Sequence, residues 1–232
     1  MLKRILTYLT ALLLLCSASV VYAQTASKND STQNKQAFTE GKIVYKIDVL
    51  SDNDQVKQMF ENSTMTMFVK GTQTCGQMNM GPMTMSVIGD NNTKKGVMLM
   101  DMMGMKKAIT MSEDDYKEYQ KKAKTDYKVE YKNDTKTIAG YVCKKAIIKT
   151  DDGNQMTLWY TEDIKVTSFG GGQYDKVKGF PMEYQVSQQG INMTFTATDI
   201  QNTKVDDTVF AIPAGYDQMT LKEFMASMGQ GK

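Results

Sequence analysis

The chain has 232 residues, with 28 lysine and arginine residues against 26 aspartate and glutamate residues, and it contains no histidine. The near balance of charge argues against a nucleic-acid partner. The lack of histidine removes the commonest general base and the usual partner of a nucleophilic serine or cysteine. Most hydrolase mechanisms are thereby disfavoured, and we expect a protein that is not an enzyme and needs no cofactor.

The first 23 residues have the layout of a secretory signal peptide. A basic start is followed by an apolar run over residues 5–21, and Ala23 offers a small residue for cleavage. The run is too short for a membrane anchor, and the leucines before Cys16 disfavour lipoprotein processing there. We therefore expect residues 1–23 to be removed and the protein to work in the periplasm or cell envelope, with peripheral membrane association left open.

The next segment, residues 24–37, is almost wholly polar and cannot bury enough apolar surface to offset the entropy of ordering. It is interpreted as a disordered linker. The rest of the chain, residues 38–232, is of a length typical of one domain.

Alternating apolar and polar residues predict short β-strands over most of this domain. The alternation starts at Ile43, recurs in several methionine-rich stretches between residues 65 and 87, and returns between residues 127 and 161. Turn residues separate the stretches, which indicates a meander of antiparallel hairpins.

Two helices are predicted. Ser112 precedes three acidic residues and a helix-forming stretch over residues 116–124, which fits a capped helix that interrupts the sheet. Near the end of the chain, Thr220 and Glu223 form a capping box before apolar residues at helical spacing. This second helix fits equally a lid over a cavity and a cover for a sheet end.

Methionine is the unusual feature, because 13 of the 20 methionines lie between Met59 and Met111. Three accounts remain open: filler of an irregular core, the lining of a cavity for an apolar ligand, or thioether ligands of Cu(I) or Ag(I). The residues predicted to line a cavity are Met65, Met67, Met78, Met80, Met83, Met85, Met98 and Met100. The candidate soft-metal ligands are Met78, Met80, Met83 and Met85.

The remaining candidates are aromatic residues and cysteines. Trp159 and the tyrosines at positions 141, 160 and 184 fall on predicted strands, which favours cross-strand packing over a recognition platform. A disulfide between Cys75 and Cys143 is left open, because sequence alone does not give the distance between them.

Several segments resemble those of a known family of exported bacterial proteins. They are Glu40–Tyr45, the Met-x-Met strand pairs, Thr137–Ala146, Leu158–Thr161 and Phe210–Tyr216. The chain thus resembles the DUF4412 family, which is similar to the LolA-like lipoprotein carriers. The Ala139–Ala146 string is also similar to the GLPGLI family, although Lys178–Met182 stands in place of that family's signature.

The resemblance implies a mainly β, α+β fold: a curved antiparallel half-barrel sheet with a few helices packed on its concave side. It brings no catalytic residue. We therefore expect a monomeric envelope protein that binds a lipid or lipoprotein acyl chain in a methionine-rich cavity. The alternatives are a periplasmic Cu(I)/Ag(I)-binding protein that uses Met-x-Met thioethers, and a structural envelope protein without a small ligand.

Overall fold

A computed structural model describes residues 37–115, 117–118, 127–150, 153–166, 176–188 and 191–229. The predicted signal peptide and nearly all of the predicted linker lie outside these residues. So does most of the predicted helix over residues 116–124, although residues 113–115 and 117–118 are helical. Among the described residues, no helix has the length and apolar character needed to cross a membrane.

The elements alternate strands and tight turns, as the periodicity predicts. The strands are β1 Ala37–Phe38, β2 Glu40–Leu50, β3 Thr64–Lys70, β4 Gln73–Met80, β5 Met83–Asp90, β6 Lys95–Met102, β7 Met105–Met111, β8 Tyr127–Ile138, β9 Tyr141–Thr150, β10 Gln155–Thr161, β11 Lys165–Val166, β12 Phe180–Gln188, β13 Ile191–Gln201 and β14 Asp217–Thr220. The helices are α1 Asp54–Phe60 and α2 Leu221–Gly229, and one 3₁₀ turn spans Asp207–Phe210.

Twelve strands form one mixed sheet, in the order β14-β7-β6-β5-β4-β3-β2-β13-β12-β10-β9-β8. Neighbours in this sheet are antiparallel except β14, which pairs with β7 in parallel. A parallel neighbour requires a crossover, and residues 202–216 provide it by running back from β13 to β7. β1 and β11 form a separate parallel pair.

Side chains from one face of the sheet, here called the inner face, meet in the main apolar core. Strands as far apart as β2, β6 and β10 contribute to it, for example through Tyr45, Met98 and Leu158. The helices add Phe60 and Phe224 to the same cluster. They pack chiefly against β2 and against β7 with β14, so the sheet itself supplies most of the buried side chains.

The predicted LolA-like fold is therefore wrong. The sheet is not an all-antiparallel half-barrel filled by helices on its concave side. Instead it has twelve strands, a parallel edge created by the crossover, and an interior filled mainly by its own side chains. The mainly β content was predicted because strand alternation is local, whereas the crossover depends on pairing between distant segments.

The opposite, outer face of the sheet is divided into two regions. Over β4–β7 it is apolar, with Cys75, Ile88 and Leu99 buried beneath the crossover. The crossover residues that pack there include Phe210 and Tyr216. We call this region the covered half.

Lys70 fastens the start of the crossover to the sheet. Its Nζ donates to the backbone oxygen of Val205 at 3.0 Å and to the carboxylate of Asp207. The backbone N–H of Val205 donates in turn to the Glu40 carboxylate at 2.9 Å. These contacts fix the point from which the crossover continues over the covered half.

Candidate functional site

The structure brings all eight methionines of the predicted cavity to the inner face of β3–β6. Met65, Met78, Met85 and Met100 lie directly opposite one another across the four strands. Met83 is half-buried, and the other seven have relative exposures of 0–2%. They share the main core with Ile43, Leu158 and Phe195. Their placement on one face is thus as predicted, and their contact with a ligand stays a prediction.

The two cysteines lie apart and no disulfide joins them. Cys75 is on the outer face beneath the crossover, whereas Cys143 is in the main core. Burial raises the pKa of the Cys143 thiol to about 11, so the nucleophilic thiolate is scarce at neutral pH. Neither cysteine is placed to act as a nucleophile.

Across the described parts of the chain, no group of three or more histidine, cysteine, aspartate or glutamate side chains is placed to hold a metal ion.

The outer face beyond the covered half presents a row of polar and aromatic side chains. Strand register aligns Lys46 on β2 with Thr196 on β13, Glu183 on β12, Trp159 on β10 and Lys145 on β9. Each of these side chains is half-buried or exposed. We call these five residues the Trp159 row.

Alternation along β10 explains why the indole faces outward. Leu158 and Tyr160 are buried in the main core, so Trp159 between them projects to the other face. Its ring still rests partly against the core cluster, which leaves it half-buried. The interpretation of Trp159 as a packing residue is therefore incomplete.

Lys136, on the far strand β8, closes over the centre of the row. Its Nζ lies 4.5 Å from the centroid of the Trp159 ring and donates to Glu183 Oε1 at 2.8 Å. The other oxygen of Glu183 accepts from the Thr196 hydroxyl at 3.3 Å. Lys145 Nζ lies 5.8 Å from the same ring. Ammonium, carboxylate and hydroxyl groups are thereby held in fixed positions around an aromatic surface.

Further hydroxyl, amide and carboxylate groups extend this surface along the strands, on one side of the row. Residues that share the outer face with the row and are exposed or half-buried are Asp48, Gln155, Thr157, Gln185, Ser187, Asn192 and Thr194. Hydroxyl and amide side chains both donate and accept hydrogen bonds. Together with the Trp159 row they form what we call the open face, a polar surface suited to a ligand rich in hydroxyl groups.

The signal for this site was present in the alternation of β10. Thr157, Trp159 and Thr161 form one face of that strand, and the apolar residues form the other. A tryptophan in phase with the polar positions indicates a surface aromatic group. The partners of Trp159 come from β8, β9 and β12, and no local pattern places those strands beside it.

Comparison with known proteins identifies a family. The sequence model described as "N-glycanase peptide, N-terminal domain" matches residues 42–222. No curated protein sequence matches the chain. Among solved structures, the chain is similar to PNGF-II in space group P21, with a TM-score of 0.49, 12% identity and 83% of this chain covered. PNGF-II in space group C2 has a TM-score of 0.48, 14% identity and 82% coverage. In both cases the match covers 33% of the PNGF-II chain, so this chain spans about a third of that length.

The family match overturns the resemblance to the DUF4412, LolA-like and GLPGLI proteins. It covers most of the segments on which that resemblance rested. One of them, Thr137–Ala146, owes its Ala139-Gly140 pair to turn geometry, because both residues have positive φ, 47° and 83°, between β8 and β9. A tight hairpin imposes such a string in many unrelated proteins.

The functional expectations built on that resemblance are wrong as well. Binding of a lipid or lipoprotein, and the soft-metal and purely structural alternatives, do not agree with a family described by an N-glycanase. The expectation that the chain is not an enzyme is contradicted by the same description, which names an N-glycanase. The lack of histidine was overinterpreted, because carboxylates and other groups also serve as catalytic acids and bases.

The matched region extends over 42–222 and takes in nearly the whole of the twelve-stranded sheet, together with the Trp159 row. The chain therefore belongs to the family of N-glycanase N-terminal domains.

Proposed function

We propose that this chain binds N-linked glycans through the open face and thereby contributes to their removal from glycoproteins. The observation that carries the proposal is the Trp159 row, which places hydrogen-bonding groups of three kinds around one aromatic ring. Support for the ligand class comes from the family, whose description names an N-glycanase.

The chemistry of the open face suits a sugar chain. A sugar offers hydroxyl groups that both donate and accept, and the carboxylate of Glu183, the hydroxyl of Thr196 and the amide of Gln185 meet both needs. Its C–H surfaces are apolar enough to lie against an aromatic ring such as Trp159.

The position of the open face is consistent with this role. It lies on the sheet side opposite the main core, and the crossover packs over the other region of the outer face. Export of the chain, predicted from residues 1–23, would bring this surface to glycoproteins outside the cytoplasm.

The proposal is tested by titrating the chain with a biantennary N-glycopeptide in a calorimeter, with the unglycosylated peptide as reference. We expect binding of the glycopeptide alone. Replacement of Trp159 by Ala is expected to weaken it at least tenfold, since aromatic anchors dominate recognition surfaces. Met103→Ala, at an 84% exposed position on the β6–β7 turn, is the control and should bind as the unmodified chain does.

Two further variants separate loss of binding from loss of folding. Trp159→Phe keeps an aromatic ring, and Glu183→Gln keeps the size of the side chain but removes its charge. Circular dichroism and thermal unfolding identify any variant that does not fold. Equal affinity for glycosylated and bare peptide, or undiminished binding by folded Trp159→Ala, would refute the proposal.

A further inference from the structure

Lysines outnumber carboxylates on the outer face of β8 and β9, beside the Trp159 row. Elsewhere on the open face, Lys46 Nζ lies 2.6 Å from a carboxylate oxygen of Asp48. The lysines on this face of β8 and β9, or over the ring, are Lys128, Lys132, Lys136, Lys145 and Lys149. The carboxylates among them are Glu130 and Glu183, and Asp134 lies in the irregular stretch between Tyr131 and Thr135.

Both glutamates already form ion pairs with lysines. Glu130 accepts from both Lys132 and Lys149, and these two ammonium groups lower the pKa of its carboxyl to about 2. Glu183 is engaged by Lys136. By contrast, within the described residues neither Lys128 nor Lys145 has a carboxylate within 4 Å. Beside the aromatic ring, the ammonium groups of Lys136 and Lys145 therefore meet one carboxylate, that of Glu183, and positive charge is in excess there.

The lysines of the two strands have different structural reasons. Lys128 and Lys149 lie directly opposite each other on β8 and β9, and Glu130, which pairs with Lys149 at 2.7 Å, offsets the repulsion between them. Lysines on an edge strand protect it from pairing with other chains, which accounts for those on β8. That reason does not extend to Lys145, because β9 lies between β8 and β10 and has no open edge.

We propose that the open face selects N-glycans that carry an anionic sugar, with Lys145 binding the acidic group beside the Trp159 row. The inference rests on the proposed glycan-binding function and adds the class of glycan to it. A carboxylate on a terminal sugar matches an ammonium group that has no carboxylate of its own. The neutral part of the glycan lies along Trp159, Glu183 and Thr196.

The experiment compares a sialylated biantennary N-glycopeptide with the same glycopeptide after removal of its sialic acids. The unmodified chain is expected to bind the sialylated form about tenfold more tightly in 50 mM salt, and the preference is expected to shrink in 500 mM salt as screening increases. The variant Lys145→Gln should lose the preference, whereas Lys145→Arg, which keeps the positive charge, should retain it. Lys222→Gln, an exposed position on α2, removes one charge elsewhere and should leave the preference unchanged.

Other outcomes would contradict either the preference for anionic glycans or glycan binding itself. Equal affinity for the two glycopeptides refutes the anionic preference and leaves glycan binding standing. Binding of neither refutes glycan binding itself, and the preference falls with it. A heparin oligosaccharide that binds as tightly as the sialylated glycopeptide, without dependence on Trp159, would show a general polyanion surface and so overturn the inference.

Discussion

The covered half and the open face belong to the same side of the same sheet, yet the crossover buries the first and the second is exposed to solvent. Over β4–β7 this side carries an apolar patch that the crossover buries. Over β2, β13, β12, β10 and β9 most of the outward residues are polar or charged, and most are exposed or half-buried. The open face is thus exposed or half-buried beside a region that the crossover covers, which makes it a surface available for recognition. Trp159 belongs to this surface.

On the inner face, the side chains that lie beneath the two regions differ in type. Rows of methionine fill it under the covered half, whereas Tyr45, Tyr184 and Phe195 fill it under the open face, with Tyr184 and Phe195 stacked at 5.0 Å. Methionine is unbranched and adapts to irregular gaps, which suits it to the buried positions of β3–β6. The rigid aromatic cluster lies beneath the surface that must keep its groups in place.

The largest effect is expected from truncation in the covered half. Leu99→Ala removes a buried side chain beneath the crossover and should lower the free energy of unfolding by about 2–4 kcal/mol, the usual cost of such a cavity. Ile147→Ala, on the outer face of β9 opposite Thr157 and only half-buried, should cost about 1 kcal/mol or less. Urea unfolding of both variants measures the contrast. Similar losses at the two positions would show that the two regions do not differ in burial as described.

The sequence predicts local structure well in both regions. The alternation that begins at Ile43 corresponds to β2, and the capping box of α2 is present, with the Thr220 N–H donating to the Glu223 carboxylate at 2.7 Å. These features depend on neighbours along the chain. The shared face of the methionines follows from the same period, once the strands pair as hairpins.

Long-range pairing could not be predicted in the same way. No local pattern shows that β13 joins β2, that the chain then returns to place β14 beside β7, or that Lys136 reaches Trp159 from two strands away. The short apolar segment at Val209–Ile212 was recognised, but its role as a cover for Leu99 requires knowledge of the crossover. The candidate site is missed for the same reason, because its members come from separate hairpins.

A smaller effect is expected from pH, through the thiol of Cys143. Its pKa is about 11 in the folded chain against an ordinary value of 9.0, so the folded state holds its proton more tightly than the unfolded state. This contribution to stability is fully present below pH 9 and is lost as the pH rises toward 11. At pH 10 the loss is about 1 kcal/mol. The difference in unfolding free energy between the unmodified chain and Cys143→Ala should therefore shrink by that amount from pH 7 to pH 10. A constant difference would contradict the burial of this thiol.

The smallest effect is a local one and is expected when the contacts of Lys70 with the crossover are removed. Lys70→Met removes the ammonium that holds the Val205 carbonyl and Asp207, while the stem of the side chain keeps its volume. We expect the segment from Val205 onward to open more often without global unfolding. Cys75, which lies beneath that segment, should then react faster with a thiol reagent, whereas Cys143 in the main core should react at its former rate. Lys107→Met, which removes a comparable contact to Asp217 at the other end of the crossover, provides the matched variant. Faster labelling of both thiols in Lys70→Met would indicate general destabilisation, and the covered half would then not open as a separate unit.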